Sequence, residues 1–218
     1  MKIIVTGATG TAGSELIRQA IKDPEIELVT AIARNVIGFK HPKLREIQHT
    51  DFRDYSSLHA EFKNHDAVFW CLGISQSQVS TKKYEEITYC FTIAAANAML
   101  TSNPSSSFLF LSGAGADTSE KSKTTFARIK GKTENALKSI TSLKLYILRP
   151  AGIKPVNKNP KLPLLYKLFL PLFPLLEILA PSFVIPSDVL GRAMLKIVKN
   201  ATDKILFENP ELKMLGKE

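Results

Sequence analysis

Short apolar runs recur along the chain, and most are followed, after a polar break, by a stretch with helical spacing of its apolar positions. The first run, Lys2 to Thr6, is rich in β-branched residues, as a buried strand should be. A helix is predicted from Ser14 to Ile21, ended by Pro24. Strands are expected at Ile26 to Ala33 and Leu44 to Gln48, with a short helix over Tyr55 to Phe62. Ala67 to Leu72 is apolar throughout, the pattern of a central parallel strand covered on both faces. A long helix from about Lys82 to Leu100, a strand at Phe108 to Leu111, a helix over Thr125 to Ile140 and a strand at Lys144 to Leu148 complete the series. Strands alternating with helices at this spacing predict βαβ units, right-handed crossovers and a parallel sheet.

After Pro150 the pattern changes. Leu162 to Pro181 is dense in leucine and phenylalanine and approaches the length of a membrane span. Pro171 and Pro174 break it, and Lys167 and Glu177 interrupt it, so a spanning helix is rejected. Core and substrate-lobe packing is the plainest role for 162–181. A homo-oligomer interface, or contact with a membrane surface through Lys154, Lys158, Lys161 and Lys167, stays open beside it. A further helix is expected from Ser187-Asp188 to about Lys199, and a last strand at Lys204 to Phe207. The chain reads as one domain over 1–218, with 154–186 as an apolar substrate-side or interface segment.

Composition changes this picture little. The 218 residues are 44% hydrophobic and 22% charged, which excludes a disordered chain or a disulfide scaffold. Cys71 and Cys90 form no Cys-x-x-Cys pair, and the four histidines show no ligand spacing, so no metal site is expected. The N-terminus lacks the pattern of an export signal, and a cytoplasmic location is expected. A net charge of +9 favours anionic partners. Lysines do not interleave with aromatics, so nucleic acid is not expected among those partners.

The candidate chemistry begins at Thr6-Gly7-Ala8-Thr9-Gly10-Thr11-Ala12-Gly13, between the first strand and the first helix. Glycines there allow a tight turn and a close approach to a pyrophosphate. The helix N-terminus offers free N–H groups to the phosphates. This placement predicts a doubly wound α/β dinucleotide-binding domain (a Rossmann fold) with strand order 3-2-1-4-5-6. The second strand ends at Ala33-Arg34-Asn35 without the acid that would bind a ribose 2′-hydroxyl of NAD. Arg34 offers a guanidinium fork that matches the 2′-phosphate of NADP. NADP is therefore the expected cofactor ahead of NAD, the other reading of Arg34 being a solvated surface arginine.

Thr6-Gly7-Ala8-Thr9-Gly10-x-x-Gly13 resembles the signature of the extended and atypical short-chain dehydrogenases/reductases. Phe69-Trp70-Cys71-Leu72-Gly73, Leu111 to Asp117, Ile129 to Glu134 and Leu148 to Gly152 are similar to the Tat-interacting-protein group of that superfamily and its epimerase-like bacterial relatives. The resemblance implies that Asp51 and Phe52 contact the adenine and that Leu72-Gly73 pass beside the ribose. It implies that Pro150, Gly152 and Ile153 line the nicotinamide side. Ser112 falls at the place of the family's catalytic serine, and Lys130 at that of the lysine that holds the nicotinamide ribose.

One departure bears on the chemistry. The family pattern is Tyr-x-x-x-Lys, which puts phenol and ammonium on one helix face and lets the lysine lower the phenol's pKa. Here the segment is Phe126-Ala127-Arg128-Ile129-Lys130, and a phenylalanine carries no proton. Two functions follow. One is an NADP-dependent oxidoreductase on a small carbonyl-type or apolar substrate. The other is a non-catalytic NADP(H)-binding sensor or interaction protein. A nucleotide-sugar epimerase is disfavoured, because only 68 residues follow Pro150 and the tyrosine is missing.

Overall fold

The computed structural model describes residues 1–157 and 181–217. The strands are β1 (Lys2–Thr6), β2 (Leu28–Ala33), β3 (Leu44–Gln48), β4 (Ala67–Trp70), β5 (Ser107–Leu111), β6 (Lys144–Arg149), β7 (Gly152–Lys154), β8 (Val184–Pro186) and β9 (Leu206–Glu208). Among the described residues, seven of them form one parallel sheet in the order β3-β2-β1-β4-β5-β6-β9. The six-strand order expected from the sequence is present, and β9 extends it beyond β6, with Leu148 opposite Phe207. β7 and β8 form a separate two-stranded parallel pair, with Ile153 opposite Ile185.

The helices are α1 (Thr11–Ala20), α2 (His59–Lys63), α3 (Thr81–Glu85), α4 (Phe91–Ser102), α5 (Thr125–Lys138), α6 (Ser187–Lys199) and α7 (Asn209–Lys217). They cover both faces of the sheet and divide the core in two. On one side α1, α6 and α7 bury Leu16, Leu190, Met194 and Leu212 against Ile3, Val5 and Phe69. On the other, Phe62, Met99 and Leu137 pack with Trp70, Phe108 and Phe110. The central strands are apolar because both faces of each are covered.

Two differences from the sequence reading have physical causes. The long helix expected over 82–100 is interrupted by a π-helical turn, Glu86–Cys90, which joins α3 to α4. α7 was not anticipated; Pro210 at its start occupies a position where a missing N–H costs nothing. The segment 162–181 that carried the membrane and oligomer expectations lies outside the described residues, apart from Pro181. No helix among the described residues is long and apolar enough to cross a membrane.

Candidate functional site

The site opens at the carboxyl ends of β1, β2, β4 and β5, where the strand order reverses about β1. Gly7 has φ +65°, and a Cβ on it would lie 2.3 Å from the carbonyl oxygen of Cys71. Gly13 sits in the first turn of α1, where a Cβ would lie 2.4 Å from the carbonyl oxygen of Gly7. The loop thus closes on the sheet only without side chains at these two positions. Gly10 donates its N–H to Gly7 O at 2.9 Å and stands at the N-cap of α1. No side chain caps that end, and its first turn holds no acid, so its N–H groups are left for an anion. Thr6 Oγ1 accepts the N–H of Leu72 at 3.2 Å and ties β1 to the turn after β4.

The cleft above this loop has a volume of about 640 Å³. Gly7 to Ala12, Arg34, Leu72, Gly73, Ser112, Lys130 and Ile153 all line it. These are most of the residues singled out in the sequence, brought together from six separate segments. Arg34 stands at the end of β2, and among the described residues no carboxylate pairs with it.

Other expected contacts are placed differently. Phe52 is buried in an aromatic cluster with His49, Tyr55 and Phe91. Asp51 accepts the N–H of Arg53 at 3.0 Å. Pro150 accepts the N–H of Ala114 at 2.8 Å, and Gly152 is exposed in β7. Thr6, Gly13, Asp51, Phe52, Pro150 and Gly152 are not part of the cleft's lining.

The reactive end is built on β5 and α5. Lys130 Nζ donates to the carbonyl of Leu111 at 2.8 Å and lies 4.6 Å from the centre of the Phe110 ring. Burial pushes its amine down to about 8, against the opposing pull of Glu134 and Cys71. Burial likewise pushes the Cys71 thiol up to about 12, so it stays protonated at neutral pH. Ser112 Oγ donates to Glu134 Oε1 at 2.5 Å. The fully buried Glu134 is gripped by Arg149, through Nε to Oε1 at 2.9 Å and Nη2 to Oε2 at 2.6 Å. Arg149 Nη1 continues to Glu208 Oε1 at 3.0 Å. Phe126 reaches the cleft with its Cζ so near Gly113 that a Cβ there would come within 2.7 Å.

Sequence reading missed three parts of this site. Tyr84 and Thr88 line the cleft from the helix that the π-turn reshapes. Burial raises the Tyr84 phenol above its ordinary value, with the Thr88 hydroxyl opposing. The Glu134–Arg149–Glu208 chain was also missed. Its signal was available: Glu134 stands four residues past Lys130, on the same helix face.

Residues 7–165 match the model of a family described as NAD(P)H-binding. The chain belongs to that family. Protein HTATIP2 of Rattus norvegicus is 23% identical over 222 residues, covering 99% of this chain and 89% of that protein. Protein FMP52, mitochondrial, of Candida albicans is 24% identical over 157 residues, covering 70% of this chain and 67% of that protein. The Bordetella bronchiseptica enzyme WbmH, solved in complex with NAD+, superposes with a TM-score of 0.70 at 16% identity, over 99% of this chain and 79% of its own. Vestitone reductase from alfalfa gives 0.71 at 18% identity, over 94% of this chain and 75% of its own. At these identities the solved structures share the fold with this chain. The family's dinucleotide also fits the residues present. A side-chain-free cradle adjoins an open helix N-terminus, and the cleft lies within the ~300–1,000 Å³ of small-molecule sites.

Proposed function

We propose that the chain is an NADP(H)-dependent oxidoreductase acting on a small carbonyl-type or apolar substrate. The observation that carries this reading is one cleft lined by the glycine loop, by Arg34, which has no acidic partner among the described residues, and by Ser112 and Lys130. When bound, a reduced nicotinamide supplies a hydride. The chain's own groups do the rest. The N–H groups of the loop and of α1 bind the pyrophosphate, and Arg34 forks onto a 2′-phosphate. Lys130 donates to the nicotinamide ribose and places a positive charge beside it, while Leu72 and Ile153 exclude water from the substrate end.

Phe126 favours a second reading, a non-catalytic NADP(H)-binding sensor or interaction protein, because it removes the usual phenol. Neither reading calls for nucleic acid. A homo-oligomer contact or a membrane surface at 162–181 remains part of the proposal. So does a cytoplasmic location, with which the free thiols of Cys71 and Cys90 agree.

NADPH deuterated at the transferable position, offered with a panel of aldehydes, ketones and quinones, separates the two. NADPH oxidation with formation of a reduced product is the result expected of an oxidoreductase: an alcohol that carries the deuterium on carbon, or, for a quinone, the hydroquinone itself, whose deuterium on oxygen is lost to solvent. NADPH that binds and is never oxidised across the panel contradicts that reading and leaves the sensor.

A further inference from the structure

In the resemblance drawn from the sequence, positions 112 and 126 flank the reacting carbonyl, and here neither has a proton to offer it. Phe126 has none by nature. Ser112 has one, and it is directed onto Glu134 at 2.5 Å. Arg149 holds both oxygens of that carboxylate, so Glu134 cannot turn away. A serine hydroxyl has one donor and two lone pairs. With the donor committed, Ser112 meets the cleft as an acceptor. It therefore has no proton to lend a carbonyl oxygen that gains a hydride.

The charge stands next to it. Lys130 Nζ is bonded to the carbonyl of Leu111, the residue before Ser112. That bond uses one of three ammonium protons. The groups facing Lys130 are Phe110, Cys71 and Glu134, and Glu134 already serves Ser112 and Arg149. Leu72, Ile74, Leu111, Phe126 and Ile153 give the cleft apolar walls, which suit a flat ring.

We infer that the substrate end of the cleft takes a quinone, with the Lys130 ammonium balancing the hydroquinone anion that hydride addition leaves. The inference rests on the oxidoreductase reading and names the substrate class of that site. It also accounts for Phe126. Hydride added to a saturated ketone leaves an alkoxide about as basic as hydroxide, so a proton donor is needed as the bond forms. A quinone that gains a hydride becomes a delocalised hydroquinone monoanion, on the scale of a phenol near ~10. A fixed positive charge can hold that anion until one solvent proton completes the hydroquinone.

The first test needs no turnover. 4-Nitrophenol is titrated into the protein saturated with NADP, at the pH where the free phenol is half ionised, and the phenolate absorbance is read. The expected result is binding with the phenolate-to-phenol ratio raised roughly tenfold, the effect of an opposite charge at close range. Lys130→Met should abolish the rise, and Lys130→Arg should restore part of it. In a second measurement, duroquinone, whose ring carbons are fully substituted and so resist addition by Cys71 or Cys90, should be reduced by NADPH while cyclohexanone is not. Binding of the neutral phenol alone, no binding of it by protein that does bind NADPH, or equal reduction of cyclohexanone overturns the inference. Failure of NADPH itself to bind overturns the function beneath it.

Discussion

Ser112 Oγ donates its proton to Glu134 Oε1 across 2.5 Å, from the end of β5 to the middle of α5. Glu134 is fully buried, and Arg149 is its counter-ion. Removing one partner of a buried pair leaves the other uncompensated, at a cost of about 3–5 kcal/mol. Glu134→Ala is therefore expected to lose about that much stability in denaturant titrations, and Glu134→Gln less, since the amide keeps an acceptor for both partners. An unchanged denaturation midpoint in Glu134→Ala would mean the network carries no weight.

The glycine loop yields a sharper prediction. A Cβ at Gly13 would sit 2.4 Å from the Gly7 carbonyl oxygen, with backbone on both sides of the contact. Gly13→Ala must push α1 away from the loop, at about 1–3 kcal/mol of overpacking. The displaced N–H groups should weaken NADPH binding by more than tenfold while the circular dichroism spectrum is retained. Full affinity in Gly13→Ala would show that the loop does not hold the phosphates.

Lys130 is a cost to the fold. Its pKa near 8 lies below the ordinary lysine value of 10.5, so its charge is less favourable in the folded protein than in the unfolded chain. Below pH 8 both states carry the charge and the penalty is complete. As pH rises from about 8 to 10.5 the folded protein sheds the proton first, and the penalty disappears. Lys130→Met should thus be more stable than wild type at pH 7, by about 2 kcal/mol once the lost bond to Leu111 is set against the gain. The advantage should shrink through that pH window in denaturant titrations, and nucleotide binding should fall. A destabilised Lys130→Met at pH 7 would contradict this.

Phe126 fills the position of a phenol, with its para carbon against Gly113. In Phe126→Tyr the new hydroxyl stands on that carbon, on the helix face shared with Lys130. Reduction of simple aldehydes by NADPH should appear in this variant and be absent from wild type. Equal aldehyde activity in both proteins would show that the acid comes from elsewhere in the cleft.

The sheet order was legible because each strand is a separate apolar run and each crossover a separate helical pattern. The glycine loop was legible because its spacing follows β1 directly. What could not be read depends on how distant segments meet. Tyr84 enters the cleft beside a π-turn that local propensity does not announce. Arg149 lies at a strand end and Glu134 on a helix, and their pairing follows from packing. Phe52, singled out by resemblance, packs into an aromatic cluster because its neighbours His49, Tyr55 and Phe91 converge there.

The central claim is that the cleft between the glycine loop and Arg34 binds NADP(H). Fluorescence titrations of the protein with NADPH and NADH, repeated on Arg34→Ala, test it most directly. A charge-assisted hydrogen bond is worth about 1.5–3 kcal/mol, so NADPH should bind roughly ten- to a hundredfold tighter than NADH, and Arg34→Ala should bring the two together. Equal affinities in the wild type would remove Arg34 from its role, and no binding of either nucleotide would contradict the account.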